Sequence, residues 1–214
     1  NDPDKSNDGV SIIDIPIKPI ILDLTLDESL KELEKRLEGE KPDIRLLVNC
    51  AGFGKIGEFS ALSYEDNVGM VKLNCCALTA VAHMAVKYMT DGAKIIQLAS
   101  SAAFLPQPRF AVYAATKSYV LSLSRAMASE LKSAGITVTA VCPGPVKTEF
   151  FGIAEQTGKI PLYKKLTMAD SQKVVKSAMK AAQKGRKVVT YGALMKCFRA
   201  LCKILPHSLM LKFF

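Results

Sequence analysis

The sequence contains no tryptophan and only two histidines, His83 and His207. Its cysteines stand at positions 50, 75, 76, 142, 197 and 202, and none of them forms a C-x-x-C pair. Zinc sites need closely spaced Cys and His ligands, so we expect no metal site. Cysteines of this kind are typical of small, buried, reduced side chains, which favours the cytosol.

Other absences narrow the class of partner. Lys and Arg outnumber Asp and Glu by 29 to 20, yet no basic run with interleaved aromatic residues is present, so we expect no nucleic-acid partner. A phosphate-bearing cofactor is a simpler reason for a basic excess. The chain starts without a signal-peptide pattern, and no run of about 18 uncharged apolar residues predicts a spanning helix.

Apolar runs and amphipathic stretches alternate along the chain. Buried strands are predicted at 17–24, 44–48, 93–99, 136–142 and 187–191. Helices are predicted after Thr25, which with Glu28 forms a capping box, and at 64–88, 113–132 and 169–183. Gly135 is placed as the glycine that ends the third helix. Strands that alternate with helices predict an α/β fold with a parallel sheet covered on both faces.

We expect three segments: a polar leader over 1–16, one domain over 17–191, and an apolar, basic segment over 192–214. The last segment carries four cations among apolar residues, and Pro206 would break a helix there. Our first interpretation is that it closes the substrate pocket or a subunit interface. A second interpretation is an amphipathic helix that touches a membrane.

The chemistry centres on Tyr113 and Lys117, which lie four residues apart near a helix start and hence on one face. A free phenol has a pKa of about 10, and a nearby ammonium favours the phenolate, so this spacing predicts a proton-transfer pair. Ser100 follows the strand that ends at Ala99. Ligands of parallel sheets bind beyond the carboxyl ends of strands, so its hydroxyl can meet the phenol at one carbonyl oxygen. Ser101 is the rival for this role.

Further motifs accompany this pair in a fixed order. Asn49-Cys-Ala-Gly52 follows a strand, Asn74 lies in the next helix, and Pro143-Gly-Pro-Val-Lys-Thr148 follows a later strand. With Ser100 and Y-x-x-x-K, these motifs resemble the short-chain dehydrogenase/reductase family over about residues 17–191. The resemblance implies a Rossmann-like, doubly wound parallel sheet in a single domain.

The resemblance also implies roles for individual residues. Tyr113 would be the general acid or base, Lys117 would lower its pKa and bind the nicotinamide ribose, Ser100 would orient the carbonyl, and Asn74 would hold a relay water through a helix irregularity. Cofactor contacts would come from Asp23, Leu24, Asn49, Ala51, Gly52, Pro143, Gly144, Val146 and Thr148. Asp23 could instead be an ordinary turn residue, and Thr148 a helix cap.

One motif is misleading and another is missing. Gly52-Phe-Gly54-Lys-Ile-Gly57 spells the G-x-G-x-x-G dinucleotide fingerprint, but the residues after it read as loop, so we reject that interpretation. The family's first β-α-β unit, with its T-G-x-x-x-G-x-G turn, would precede residue 17, and nothing there fits it. Without this unit, the sheet would have a gap about two strands wide beside the strand at 44–48. Val10–Ile15 could fill only one of these two strand positions. We therefore expect a longer natural protein.

These observations lead to two hypotheses. The first is an oxidoreductase that interconverts an alcohol and a ketone or aldehyde with NAD or NADP, NADP being slightly favoured. Its substrate is expected to be apolar (a steroid, a fatty or acyl carbonyl, or a xenobiotic ketone), because five residues flank the site: Phe104, Leu105, Phe110, Phe150 and Phe151. The second is a non-catalytic, membrane- or partner-binding remnant of the same fold. By resemblance, the helices 64–88 and 113–132 would form a homodimer or homotetramer.

Overall fold

The centre of the molecule is a four-stranded parallel sheet. The computed structural model describes residues 16–154, 157 and 168–213. The strands are β1 (Leu46–Asn49), β2 (Lys94–Leu98), β3 (Thr137–Val141) and β4 (Val188–Val189), and they lie side by side in chain order. All three pairings are parallel. The predicted parallel α/β sheet is therefore confirmed.

Helices precede, connect and follow the strands. They are α1 (Asp27–Glu40), α2 (Tyr64–Val71), α3 (Leu78–Val86), α4 (Ala111–Glu130), α5 (Phe150–Ala154), α6 (Ser171–Gln183), α7 (Ala193–Ile204) and α8 (His207–Met210). A π-helical segment, Lys72–Ala77, joins α2 to α3, and 3₁₀ turns cover Ser101–Phe104 and Leu211–Phe213.

Both faces of the sheet are packed. On one face, Ile95 of β2 is fully buried in a cluster that includes Ala128 of α4. On the opposite face, the next residue, Ile96, packs with Val174 and Ala178 of α6. Successive side chains of a strand point to opposite faces, so an apolar β2 with helices on both sides gives three layers.

The strand predicted at 17–24 is wrong. Residues 16–23 have no regular secondary structure, and Ile17 and Ile21 are 88% and 96% exposed. Within the described residues no strand lies on the outer side of β1, so this segment has no ladder to join. The edge position also leaves Leu46 and Val48 of β1 41% and 45% exposed. The predicted leader covers residues 1–16, and of these only Pro16 belongs to the described residues. The possible strand at Val10–Ile15 therefore lies outside them.

Two predicted helix ends also differ from the structure. The cap of α1 is Leu26 and not Thr25, because the Thr25 hydroxyl donates to the Asp23 carboxylate instead of accepting from the helix. Helix α4 ends at Glu130 with Leu131 as its cap. Gly135 has a φ of 68° in the turn that leads into β3, so its left-handed conformation serves that turn and not the helix end.

The helix predicted at 64–88 is confirmed apart from its π-helical middle. Contrary to the expectation from composition, Tyr64–Val86 is long and apolar enough to cross a membrane by length and composition alone. Its residues Met70, Asn74 and Ala82 are buried inside the domain, and α2 packs against α4. One side of this stretch therefore packs into the core of the domain.

Candidate active site

Ser100 and Tyr113 meet beyond the carboxyl end of β2. Ser100 caps the 3₁₀ turn that follows the strand, and its Oγ accepts a hydrogen bond of 3.1 Å from the Ala102 amide. Tyr113 lies in the first turn of α4, and its phenol is close enough to the Ser100 side chain for that side chain to lower its pKa. The rival Ser101 uses its amide to donate to the Pro143 carbonyl at 2.8 Å. The structure thus brings Ser100 to the phenol.

The Tyr113 ring is enclosed by aromatic side chains and only 7% exposed. Phe110 stacks on it with 4.3 Å between ring centroids, and the Phe150 centroid lies 5.4 Å away at a tilt. Burial raises the pKa of Tyr113 to about 12, and the Ser100 side chain opposes that rise. At neutral pH the phenol therefore carries its proton.

Lys117 is buried one helical turn beyond Tyr113, with 4% of its surface exposed. Its Nζ donates to the Leu98 carbonyl at 2.7 Å and lies 5.7 Å from the Tyr113 ring centroid. Burial lowers the pKa of Lys117 to about 8, and the thiols of Cys75, Cys50 and Cys142 oppose the shift. Desolvation of the phenol sets the net direction of the Tyr113 pKa shift, and the lowering expected from Lys117 stays a prediction.

Asn74 ties the loop after β1 to helix α4. It lies in the π-helical segment and is fully buried. Its Nδ2 donates to the Phe53 carbonyl at 2.9 Å and to Thr116 Oγ1 at 3.0 Å, and its Oδ1 accepts from the Phe53 amide at 3.0 Å. The Thr116 hydroxyl in turn donates to the Tyr113 carbonyl at 2.8 Å. The helix irregularity expected at Asn74 is present.

Thr116 was missed by the sequence interpretation. It stands directly before Lys117, and its place in the Y-x-x-x-K motif carries no residue preference that would single it out. Only the packing of the π-helical segment against α4 shows that the Thr116 hydroxyl accepts a hydrogen bond from the Asn74 side-chain amide. A buried hydroxyl that both donates and accepts fixes the two helices relative to each other.

The loop after β1 approaches the site closely. Asn49 Nδ2 donates to Gln97 Oε1 at 3.0 Å and to the Leu78 carbonyl at 3.5 Å, which anchors the end of β1. A Cβ on Gly52 would lie 2.7 Å from Asn74 Oδ1 and 3.5 Å from Lys117 Nζ. Glycine at 52 therefore lets the Asn74 side chain lie directly against the backbone of this loop. Ala51 is exposed beside it.

The G-x-G-x-x-G motif at residues 52–57 has a different role from a phosphate-binding loop. The next helix begins only at Tyr64, where Ser63 Oγ accepts from the Asp66 amide at 3.0 Å, so the motif does not open a helix. A Cβ on Gly54 would lie 2.7 Å from Tyr113 Cδ2 and 3.0 Å from Cζ of both Phe110 and Phe150. Gly54 thus allows the aromatic cluster to close on the backbone.

The Pro143–Thr148 stretch forms the next wall. Pro143 is buried, and Val146 makes a parallel bridge to Ala169, which holds the stretch against α6. Gly144 lies beneath Met195 of α7, whose sulfur would be 2.8 Å from an added Cβ. Thr148 is exposed, with its Oγ1 3.5 Å from the Val146 carbonyl.

Asp23 and Leu24 lie in an exposed turn and not at a strand end. The Asp23 carboxylate accepts from the Thr25 amide at 2.9 Å and from the Thr25 hydroxyl at 2.7 Å, and these bonds lower the pKa of Asp23. Leu24 lines a cleft with Lys72 and Cys76, which flank Asn74 in sequence. Among the described residues no hydrogen bond joins Asp23 to the Tyr113 cluster.

Four of the five apolar residues expected around the site divide into two groups, and the side chain of Phe151 lies outside the described part of the structure. Phe110 and Phe150 contact Tyr113 directly. Phe104 faces α7, with its ring centroid 6.4 Å from that of Phe198, and Leu105 is 1% exposed. Helix α7 therefore covers the loop that carries Ser100.

The cluster fits the nicotinamide-ribose end of a dinucleotide. Lys117 presents a buried ammonium close to Gly52, and one of its three donor hydrogens is used by the Leu98 carbonyl. Asn49, Gly52 and the Pro143–Gly144 turn would hold that end of the cofactor, with Lys117 as the donor to a ribose hydroxyl.

Comparisons with known proteins agree with this geometry. A family model described as short chain dehydrogenase matches residues 11–158. An uncharacterised short-chain type dehydrogenase/reductase of Sinorhizobium fredii is 34% identical over 140 residues, which are 65% of this chain and 26% of that protein. An uncharacterised oxidoreductase of Bacillus subtilis is 34% identical over 125 residues, covering 58% of this chain and 47% of its own.

Solved structures show the same fold. A short-chain dehydrogenase from Sphingobium yanoikuyae in complex with NADPH matches with a TM-score of 0.70 and 27% identity, over 86% of this chain and 74% of that one. The bulky-bulky ketone specific alcohol dehydrogenase from Comamonas testosteroni matches with a TM-score of 0.65 and 26% identity, over 87% and 73%. The chain spans about a quarter to about half of the length of the curated relatives it matches.

Proposed function

Because the chain belongs to the short-chain dehydrogenase family, we propose that it acts as an NAD(P)-dependent oxidoreductase that interconverts an alcohol and a ketone or aldehyde. The observation that carries the proposal is the convergence of Ser100, Tyr113 and Lys117 at the end of β2, with Asn74 fixing the adjoining loop. The enclosed Phe110 and Phe150 rings favour an apolar substrate.

Tyr113 would act as the general acid on the substrate oxygen. A carbonyl in the site would accept from the Ser100 hydroxyl and from the Tyr113 phenol, whose proton is retained at neutral pH because its pKa is about 12. A bound reduced nicotinamide would supply the hydride for the carbonyl carbon. As charge develops on the oxygen, Tyr113 donates its proton, and the phenolate that forms is stabilised by the adjacent Lys117 ammonium.

Asn74 would contribute through position and not through charge. Its side chain is held by Phe53 and Thr116, so the π-helical segment and the start of α4 keep a fixed spacing. We propose that a water beside this segment returns the proton to Tyr113. The remaining cofactor contacts would come from Asn49, Ala51 and Gly52 on one side, from the 143–148 stretch on the other, and from Asp23 and Leu24 at the adenine end.

The identity of the cofactor is part of the proposal. The Sphingobium yanoikuyae enzyme is a structural neighbour in complex with NADPH, and a slight preference for NADP over NAD is our working assumption. The substrates that suit the aromatic enclosure are a steroid, a fatty or acyl carbonyl, or an apolar xenobiotic ketone.

The organisation of the whole protein is likewise proposed. Residues 17–191 would form the catalytic domain after a polar leader, and 192–214 would close the substrate pocket. Pairing through α2–α3 and α4 would give a homodimer or homotetramer in the cytoplasm.

Nicotinamide fluorescence during titration with NADPH and NADH tests cofactor binding, and oxidation of the cofactor with a panel of apolar ketones tests turnover. We expect the Tyr113→Phe variant to bind cofactor and to lose turnover by about 10²- to 10⁴-fold. Tyr119→Phe is the matched control, since this tyrosine lies on the same helix and is hydrogen-bonded to Thr79 at 2.8 Å.

Two outcomes would contradict the proposal. The first is turnover in Tyr113→Phe equal to that in Tyr119→Phe. The second is a protein that binds neither NADPH nor NADH, which would favour a non-catalytic binding remnant of the fold.

A further inference from the structure

The balance of basic and acidic residues changes sharply after Asp170. The residues that follow it include ten Lys and Arg and no Asp or Glu, whereas residues 1–170 include 19 basic and 20 acidic residues. The net charge of +9 therefore resides entirely in the C-terminal part of the chain. A segment without any acidic residue is suited to an anionic surface.

Helix α7 uses one face to pack on the domain. Phe198 contacts the Phe104 ring, and Arg199 Cζ lies 5.7 Å from the centroid of the same ring. Cys202 is 9% exposed, and Met195 covers Gly144. The inward face of α7 is thus satisfied by contacts with the loops of the candidate active site.

The same helix carries a second apolar stripe that faces outward. Leu194, Leu201 and Ile204 are 59%, 48% and 77% exposed. With about 100° between successive residues, these three side chains fall within an arc of roughly 80°. Lys196 and Lys203 are exposed on the adjoining face. An aliphatic stripe flanked by lysines is the pattern of a helix that lies in a membrane interface.

The pattern continues beyond the helix. Pro206 follows the end of α7, and Leu205 and Leu209 are 37% and 45% exposed. Helix α7 has only 12 residues, so it is too short to span a bilayer of about 30 Å. A broken segment with apolar residues on its surface suits a position along the interface.

We propose that α7 and residues 205–212 bind the surface of a bilayer that contains anionic phospholipid. The aliphatic side chains would enter the acyl region, and the lysines would lie at the phosphate groups. An acidic protein would satisfy the lysines, but the exposed stripe consists of aliphatic side chains and the Cys197 thiol. A thiol is only a weak hydrogen-bonding group, so the stripe is poorly suited to specific polar recognition. The inward face of α7 covers the site loops, so docking would place the site where an apolar carbonyl substrate dissolves.

Flotation of the full chain with vesicles tests this inference and needs neither cofactor nor turnover. We expect binding to vesicles of phosphatidylcholine with phosphatidylglycerol, and binding to phosphatidylcholine alone that is at least tenfold weaker. Binding should weaken as salt is raised, because the surface potential is screened. Lys196→Gln with Lys203→Gln should reduce binding at least tenfold, since each basic residue near an anionic surface contributes about fivefold.

The double substitution Leu201→Ser with Ile204→Ser should also weaken binding to the anionic vesicles at least tenfold. Val175→Ser is the matched control, because Val175 on α6 is 59% exposed and lies outside α7. Lys31→Gln with Lys35→Gln on α1 controls for the loss of two lysines, and circular dichroism checks that each variant is folded. Failure of the wild type to float with anionic vesicles would overturn the inference. So would full binding by the Leu201 and Ile204 variant, or a self-association in solution that this variant abolishes.

Discussion

At the residue scale, two neighbouring groups have pKa values that move in opposite directions. Burial raises the pKa of Tyr113 to about 12 and lowers that of Lys117 to about 8. Both shifts disfavour the charged form, which is the effect of desolvation. The Tyr113 phenol is therefore protonated and can act as an acid. The Lys117 ammonium is stabilised only when a negative charge develops beside it. This arrangement favours proton donation to a carbonyl oxygen.

The lowered pKa of Lys117 should make the free energy of unfolding depend on pH. The folded-state pKa lies below the unfolded value of about 10.5, so between about 8 and 10.5 the unfolded chain binds more protons and stability rises with pH. We expect the free energy of unfolding of the wild type to rise by about 1 kcal/mol more than that of Lys117→Met between pH 7.5 and 9. Urea unfolding of both proteins at each pH measures this. Parallel pH profiles would contradict the assignment.

Gly54 should be a positioning residue for Tyr113. A methyl group at 54 would displace the Tyr113, Phe110 and Phe150 rings, because its contacts with them would be 2.7 to 3.0 Å. We expect Gly54→Ala to lower kcat by about 10- to 100-fold, since a displacement of an ångström can cost that much. Steady-state kinetics with saturating cofactor measure the effect.

Gly39→Ala is the control for this prediction, because nothing lies within 4 Å of an added Cβ there. Its kcat should equal that of the wild type. Equal kcat in Gly54→Ala and Gly39→Ala would show that the aromatic cluster can shift without consequence for the phenol.

At the element scale, the π-helical segment Lys72–Ala77 is the feature that aligns the site. One extra residue in a helical turn changes the direction of the side chains that precede and follow it. Asn74 lies inside this segment and reaches both Phe53 and Thr116. A regular α-helix through the same residues would turn the Asn74 amide away from one of these partners.

Deletion of Cys76 should convert the π-helical segment to an α-helix while α2 and α3 keep their packing. Cys76 is exposed, so little core volume is lost. We expect turnover to fall at least tenfold and the far-ultraviolet circular dichroism to stay helical. Cys76→Ala is the matched control and should keep wild-type turnover. Loss of helical signal in the deletion would mean that the extra residue is needed for folding and not only for alignment.

At the scale of the whole molecule, the exposed apolar residues of α2 and α4 bear on assembly. Val71 and Tyr119 are each 41% exposed on these helices. If the subunits pair through α2–α3 and α4, Val71→Arg should shift the sedimentation coefficient towards the monomer, because a buried unpaired charge is costly. Val175→Arg on α6 should leave it unchanged. A wild type that sediments as a monomer at all concentrations would refute the pairing.

The local motifs were readable from the sequence because their members are close along the chain. Tyr113 and Lys117 share one helix, and Ser100 follows a strand whose apolar run is unambiguous, so their convergence at one sheet edge could be predicted. The capping at Thr25 failed because its hydroxyl has a nearer partner in Asp23. The strand at 17–24 failed because apolar β-branched residues form a strand only beside another strand, and β1 has none beyond it among the described residues.

The sequence by itself determined the alternation of strands and helices and the spacing of the reactive side chains, because hydrophobic period and helical pitch are local properties. Only the tertiary structure decided which way the pKa of Tyr113 moves, since that depends on the Phe110 and Phe150 rings that enclose it. It also decided the roles of Thr116 and Gly54. Their partners lie on segments distant in sequence, and burial and close approach exist only once those segments have packed together.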